Sequence, residues 1–250
     1  MINFFKKVRL KLLFDGKLQN YLKYAAGEII LVVVGILIAL QINNWSESIK
    51  NRELESVYLR EMLEDFKSNL QKSEDTIEWI NEVIPEMIVL LEQSSLDKPD
   101  IPVDSLNYNF SSLLTMPTYN STDRVYQNLI GSGDFKIITS RNLKNDIANY
   151  YKAVDLIELV QRTHEMELVN SIQPYIIDNM DFQSVGVYML DDWDMPPADD
   201  YERILKVMKS REFRNIIMLK LSILSDLLEQ NENIKEINKK LVASVEKHFE

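Results

Sequence analysis

The chain has 250 residues, 46% of them apolar and 27% charged, with 6 Gly, 7 Pro, no Cys and a net charge of −11. This composition describes one large or two small globular domains; so little Gly and Pro argues against a sandwich, a barrel or a nucleotide-binding α/β fold, which need many tight turns. The absence of Cys excludes disulfides, thiol catalysis and thiolate metal sites, and the acidic balance argues against nucleic acid, whose phosphates need basic contacts.

The charge is unevenly placed. Residues 1–24 hold Lys6, Lys7, Arg9, Lys11, Lys17 and Lys23 against Asp15 alone, a net of +5 that leaves −16 on the rest. Residues 2–14, INFFKKVRLKLLF, bring Phe4, Phe5, Val8 and Leu12 toward one helical face. This suits a basic amphipathic segment, 1–23, lying on the inner leaflet of a membrane; a disordered positive tail is the alternative.

Next comes GEIILVVVGILIALQINNW. Tyr24 to Ile42 is 19 residues, roughly 28 Å of helix, close to the hydrocarbon thickness of a bilayer. Only Glu28 and Gln41 interrupt it, each near one end. Tyr21 and Tyr24 flank one side and Trp45 the other, as for rings at the two interfaces. A soluble core helix should show a polar stripe, and Ile29 to Leu40 shows none, which argues against that reading. The long basic region and the absence of a small-x-small site in LQINNWSE argue against a cleaved signal. The spacing therefore predicts a transmembrane helix over 24–42, anchored through Tyr24, Glu28, Gly35, Ala39, Ile42 and Trp45. Glu28, Gly35 and Ala39 fall on one stripe, a possible dimer face of the span.

Six basic groups precede the span. After it, Lys50, Arg52 and Arg60 are mixed with Glu47, Glu53, Glu55 and Glu61. The positive-inside rule predicts a signal-anchored, single-pass protein of a bacterial inner membrane, with a cytoplasmic N-terminus and a periplasmic domain, 43–250.

The start FFKKVRLKLL followed by YAAGEIILVVVGILIALQINNW resembles the single-span membrane protein family of Bacteroidota catalogued as domain of unknown function 6090. LIGSGDFKIITSRNLKNDIANYY, Leu129–Tyr151, is similar to a second pattern of that family. Gly131, Ser132 and Gly133 match its small-residue turn; Asn142, Leu143, Tyr150 and Tyr151 match the following helix. Ile137-Ile138 replaces the more usual Leu-Ile, and Gly131 stands where Ser is commoner. The resemblance is strong at the N-terminus and loose beyond about residue 160. It implies no activity, and it carries no catalytic residues.

Beyond Trp45, apolar residues recur at Leu59, Met62, Leu63, Phe66, Leu70, Ile77, Ile80, Ile84, Met87, Ile88 and Leu91, predicting a helix that ends near Gln93, with Pro85 as a kink or boundary. Because the stripe contains Ser73 and is not a strict a/d repeat, a bundle arm is favoured over a coiled-coil stalk for 45–93. A short helix is expected over 105–114, and a second over 123–129 capped by Ser121 or Thr122. GSGDFKII reads as a Gly-ended helix, a turn and a short extended piece. Thr139-Ser140 caps a helix from Arg141 to about Met180, whose stripe is Leu143, Ile147, Tyr150, Val154, Ile157, Val160, His164, Leu168, Ile172 and Tyr175. A loop with a short strand over Val185–Leu190 precedes a last pair, 200–209 and 211–249, with Ser210 between them as cap. The fold class is all-α: one N-terminal transmembrane helix, then a bundle of long helices, with at most a minor strand or hairpin.

Motifs that carry chemistry are absent: no P-loop, no dinucleotide fingerprint, no HExxH, no GxSxG. Gly131-Ser132-Gly133 reads as a turn needing positive φ rather than a nucleophile elbow. His164 reads as a core histidine with one satisfied nitrogen, and His248 as solvated. Asp191, Asp192, Asp194, Asp199 and Asp200 around Trp193 read as a solvated, helix-capping loop rather than a Ca²⁺ site. No catalytic residue, cofactor or metal is expected. The partners expected are the bilayer and either another protein or a second copy, with no nucleic acid. An anchored interaction or scaffold module is the favoured reading, ahead of an extracytoplasmic ligand-sensing bundle acting through a partner membrane protein, and ahead of an enzyme.

Overall fold

The computed structural model describes residues 18–180 and 201–249. It is all-α, with no strand among the described residues. Helix α1 runs Leu18–Ser95, α2 Val103–Ser111 and α3 Arg124–Gly131. A 3₁₀ turn at Asp134–Ile137 leads to α4, Arg141–Glu167, which passes through a π-turn at Leu168–Ile172 into α5, Gln173–Asn179. Helix α6 is Tyr201–Met208 and α7 is Arg211–His248. The chain divides into two compact units, residues 1–57 and 58–250. Within the first, the described residues form the N-terminal part of α1, and it is long and apolar enough to cross a membrane.

The second unit is built on three long helices. Leu59, Met62 and Phe66 of α1 share a core cluster with Leu143–Ile157 of α4 and Ile234–Val245 of α7. Ile80–Leu90 of α1 share the other cluster with Leu168–Met180 and with Phe213–Leu227. Hence α1 and α4 run parallel, and α7 runs antiparallel to both.

Burial is periodic. In α1 the buried residues Leu59, Met62, Phe66, Asn69, Ser73, Thr76, Ile80, Val83, Met87, Leu90 and Ser94 recur in alternating steps of three and four, with Glu55, Ile77 and Gln93 buried as well. In α7 Phe213, Ile217, Lys220, Leu224, Leu227, Asn231, Ile234, Asn238, Leu241 and Val245 follow the same alternation, with Ile223 buried beside them. This is the heptad spacing that keeps one helical seam facing its neighbours. The apolar stripe itself is not a strict repeat, as the sequence indicates, because Asn69, Ser73 and Thr76 stand in it. The middle of the seam is polar, and Ile88, counted on the apolar stripe, is 42% exposed. In α4 the steps 143, 147, 150, 154 and 157 follow the same rule. Past the π-turn the spacing becomes 168, 172, 176, 180, because the wider turn absorbs the extra residue without rotating the seam out of the core.

Most predicted boundaries hold to within a few residues. Ser140 accepts from the Leu143 N–H and Ser210 from the Phe213 N–H, so both caps are in place. Pro85 lies inside α1 and ends nothing. Ser121 and Thr122 do not cap α3. Its N-cap is Asp123, which makes no capping bond of its own. The extended piece expected after the glycines is the 3₁₀ turn, with only Ile138 extended. Residues 2–14, the strand expected at Val185–Leu190 and the acidic loop around Trp193 lie outside the described residues.

Candidate functional site

The most elaborately bonded segment is irregular. Residues 115–123, TMPTYNSTD, form a strap between α2 and α3, and two amide side chains clamp it. Asn69, at a seam position of α1, donates to the Thr122 carbonyl at 2.8 Å and accepts from the Thr122 N–H at 2.7 Å. Gln161 of α4 accepts from the Tyr119 N–H at 2.6 Å and donates to the Tyr119 carbonyl at 3.1 Å. Each amide supplies one donor and one acceptor, the pattern a neighbouring strand would offer. Lys72 adds bonds to the Asn120 carbonyl, 3.1 Å, and the Thr122 hydroxyl, 2.7 Å. A strap with a polar backbone can lie over an apolar core only if those groups are satisfied, and the clamps satisfy them.

The strap drives Tyr119 into the core, where its hydroxyl meets that of Tyr150 at 2.9 Å. Burial pushes the Tyr119 hydroxyl up to about 12, against the bond to Tyr150. Burial likewise raises Tyr150, with Tyr119 beside it, and raises Tyr151, with Asp65 nearby. Around them Phe66 meets Tyr150 edge-on at 5.3 Å, and Tyr126 of α3 stacks on Tyr151 at 3.6 Å. Phe135 of the 3₁₀ turn meets Tyr126 edge-on at 6.2 Å. Such hydroxyls stay protonated at neutral pH and serve as buried bonding groups rather than nucleophiles.

The residues singled out from the sequence separate here. Leu143, Tyr150 and Tyr151 come together in the core. Gly133 takes φ +75°, which aims the chain from α3 into the 3₁₀ turn. Gly131 closes α3, and Asn142 is exposed. His164 is half-buried, with Nε2 3.3 Å from the Asp226 carboxylate, one nitrogen engaged as expected. His248 is exposed beside Phe249. Along the span, Tyr24, Ile42 and Trp45 are 60–67% exposed, and Glu28, Gly35 and Ala39 are also exposed. A Cβ at Gly35 would meet nothing within 4 Å.

Sequence reasoning missed Asn69, Gln161 and Lys220. Lys220 occupies a seam position of α7 at 1% exposure, donates to the Thr115 carbonyl at the start of the strap, and is lowered by burial to about 8. The available signal was a polar residue at a heptad core position, visible only once the register is fixed. No group of three acidic or His side chains close enough to hold a metal occurs among the described residues.

Two grooves flank α4. One, about 400 Å³, lies between the strap and α4 and is lined by Met116, Thr118, Asn120, Glu158, Gln161, Arg162, Glu165 and Leu168. The other, about 520 Å³, lies between α4 and α7 over Ala153, Leu156, Ile237 and Leu241, with Lys152, Lys240, Asp146 and Asn149 at its rim.

Residues 28–98 match the model of the Family of unknown function (DUF6090). The match covers most of α1, from within the apolar stretch to just past the end of the first bundle arm. It is the family that the N-terminal text resembles. The Leu129–Tyr151 segment lies outside the matched residues. No curated protein and no solved structure matches the chain.

Proposed function

We propose that the chain is a single-pass protein of a bacterial inner membrane, its N-terminus cytoplasmic and its helical body periplasmic, where it holds another protein. One observation carries the anchoring. From Ile29 to Ile42 the large apolar side chains of α1 are 45–73% exposed. A helix in water does not leave so long an apolar surface uncovered, whereas a bilayer covers it. The basic excess before the span supports the orientation.

The scaffold reading rests on what the body invests in. Its polar side chains go into fixing a strap and a seam, and its tyrosines are core groups. A sensing role has one observation in its favour: a groove of about 400 Å³ beside the strap falls in the size range of small-molecule sites. The test is crosslinking in intact cells with a lysine reagent that crosses the outer but not the inner membrane. Links from Lys72, Lys144 or Lys239 to another envelope protein are expected. Unreactive body lysines would refute the export. Reaction without links to another protein, together with a small ligand that raises the melting temperature, would favour sensing.

A further inference from the structure

Helix α4 is apolar on two opposite faces. One face, through Tyr150 and Ile157, enters the core; the other carries Leu156, Leu159 and Met166 at 46%, 56% and 57% exposure. The outer face of a bundle helix is ordinarily polar. Positions 156, 159, 163 and 166 alternate in steps of three and four, a heptad stripe directed away from the core. Thr163 fits it, because its hydroxyl donates to the Leu159 carbonyl at 3.0 Å and is thereby spent within the helix.

We infer that this stripe is a self-association seam, in which α4 of one copy packs parallel and in register against α4 of a second copy. With 156 and 163 as the first core positions of successive heptads and 159 and 166 as the second, Arg162 lies on one shoulder and Glu167 on the other. In a parallel pair a shoulder residue faces the one five positions on in the other helix. Arg162 therefore meets Glu167 of the second copy, twice by symmetry, and Asp155 meets the uncharged Val160. The stripe is its own complement in charge, which favours a second copy over an unrelated helix. It is narrower than a standard interface of about 800 Å² per partner. The pairing thus rests on the proposed anchoring, which confines copies to one bilayer and raises their effective concentration.

The chain has no cysteine, so single cysteines report cleanly. Full-length Leu159→Cys, Thr163→Cys, Met166→Cys and Glu158→Cys variants, in native membranes, would be treated with a short bismaleimide. The seam predicts a species at twice the 29.3 kDa chain mass for the first three and its loss for Glu158→Cys. It also predicts loss when Leu156→Glu is added to Leu159→Cys, with the helical circular dichroism unchanged. Equal crosslinking at all positions would overturn the seam, as would monomer throughout while the cysteines still take a monomaleimide. Crosslinks to a different protein would overturn the second copy as occupant and leave the interaction role standing. Release of the full chain by alkaline wash would remove the anchoring, and the inference would fall with it.

Discussion

The Tyr119 and Tyr150 hydroxyls lie 2.9 Å apart in the core, but their positions are unequal. Asn69 also lies beside the Tyr150 hydroxyl, while Tyr119 has Tyr150 alone. Tyr119→Phe therefore leaves Tyr150 a polar neighbour in Asn69, whereas Tyr150→Phe leaves the buried Tyr119 hydroxyl with none. The orphaned group costs about 1–3 kcal/mol. Urea denaturation should find Tyr150→Phe the more destabilising, with the double variant costing less than the sum of the singles.

Asn69 and Gln161 hold the strap by backbone bonds alone. Asn69→Ala and Gln161→Ala should each cost about 2 kcal/mol, since two strap groups lose their partners at once. Hydrogen exchange localises the effect. The Thr122 amide should lose protection in the first variant and the Tyr119 amide in the second, with the α7 amides far less affected.

Lys220 makes stability depend on pH with a definite sign. Its folded value, about 8, lies below the unfolded 10.5, so above pH 8 the unfolded chain holds more protons than the folded one. Stability then rises with pH, by about 2 kcal/mol up to pH 10. Past pH 10 the raised tyrosines act oppositely, because the folded chain retains their protons. Melting temperatures across pH 7–10 should show this rise in the native chain. Lys220→Met should lose it and be the more stable protein at pH 7, because an apolar side chain replaces a buried charge.

The two glycines of the GSG turn should respond differently. Gly133 needs φ +75°, so Gly133→Ala should cost about 1 kcal/mol. Gly131 is helical with open space around its Cβ position, so Gly131→Ala should be neutral or stabilising. Thermal denaturation of the two variants checks the pair.

What the sequence disclosed was whatever is encoded locally. The Ser140 and Ser210 caps, the positive φ of Gly133 and the buried face of α4 each follow from a few consecutive residues. The seam of α1 is only partly legible, because Asn69, Ser73 and Thr76 are buried at positions that an apolar pattern does not mark. Their burial is set by α4, α7 and the strap. The clamps join residues 53 and 42 positions apart, and nothing local marks either amide. The cap of α3 was misassigned because Asp123, one residue further on, takes the N-cap place without a capping bond.

The most direct test of an anchored, exported body is cysteine accessibility, for which a chain without native cysteine needs no prior engineering. Single cysteines at Lys17 and at Asn51 flank the span and would be probed in intact spheroplasts with a membrane-impermeant maleimide. The account predicts labelling at position 51, and at position 17 only after the membrane is opened. Labelling at 17 with protection at 51 would reverse the orientation; protection of both sites, with release of the chain on alkaline wash, would contradict the span itself.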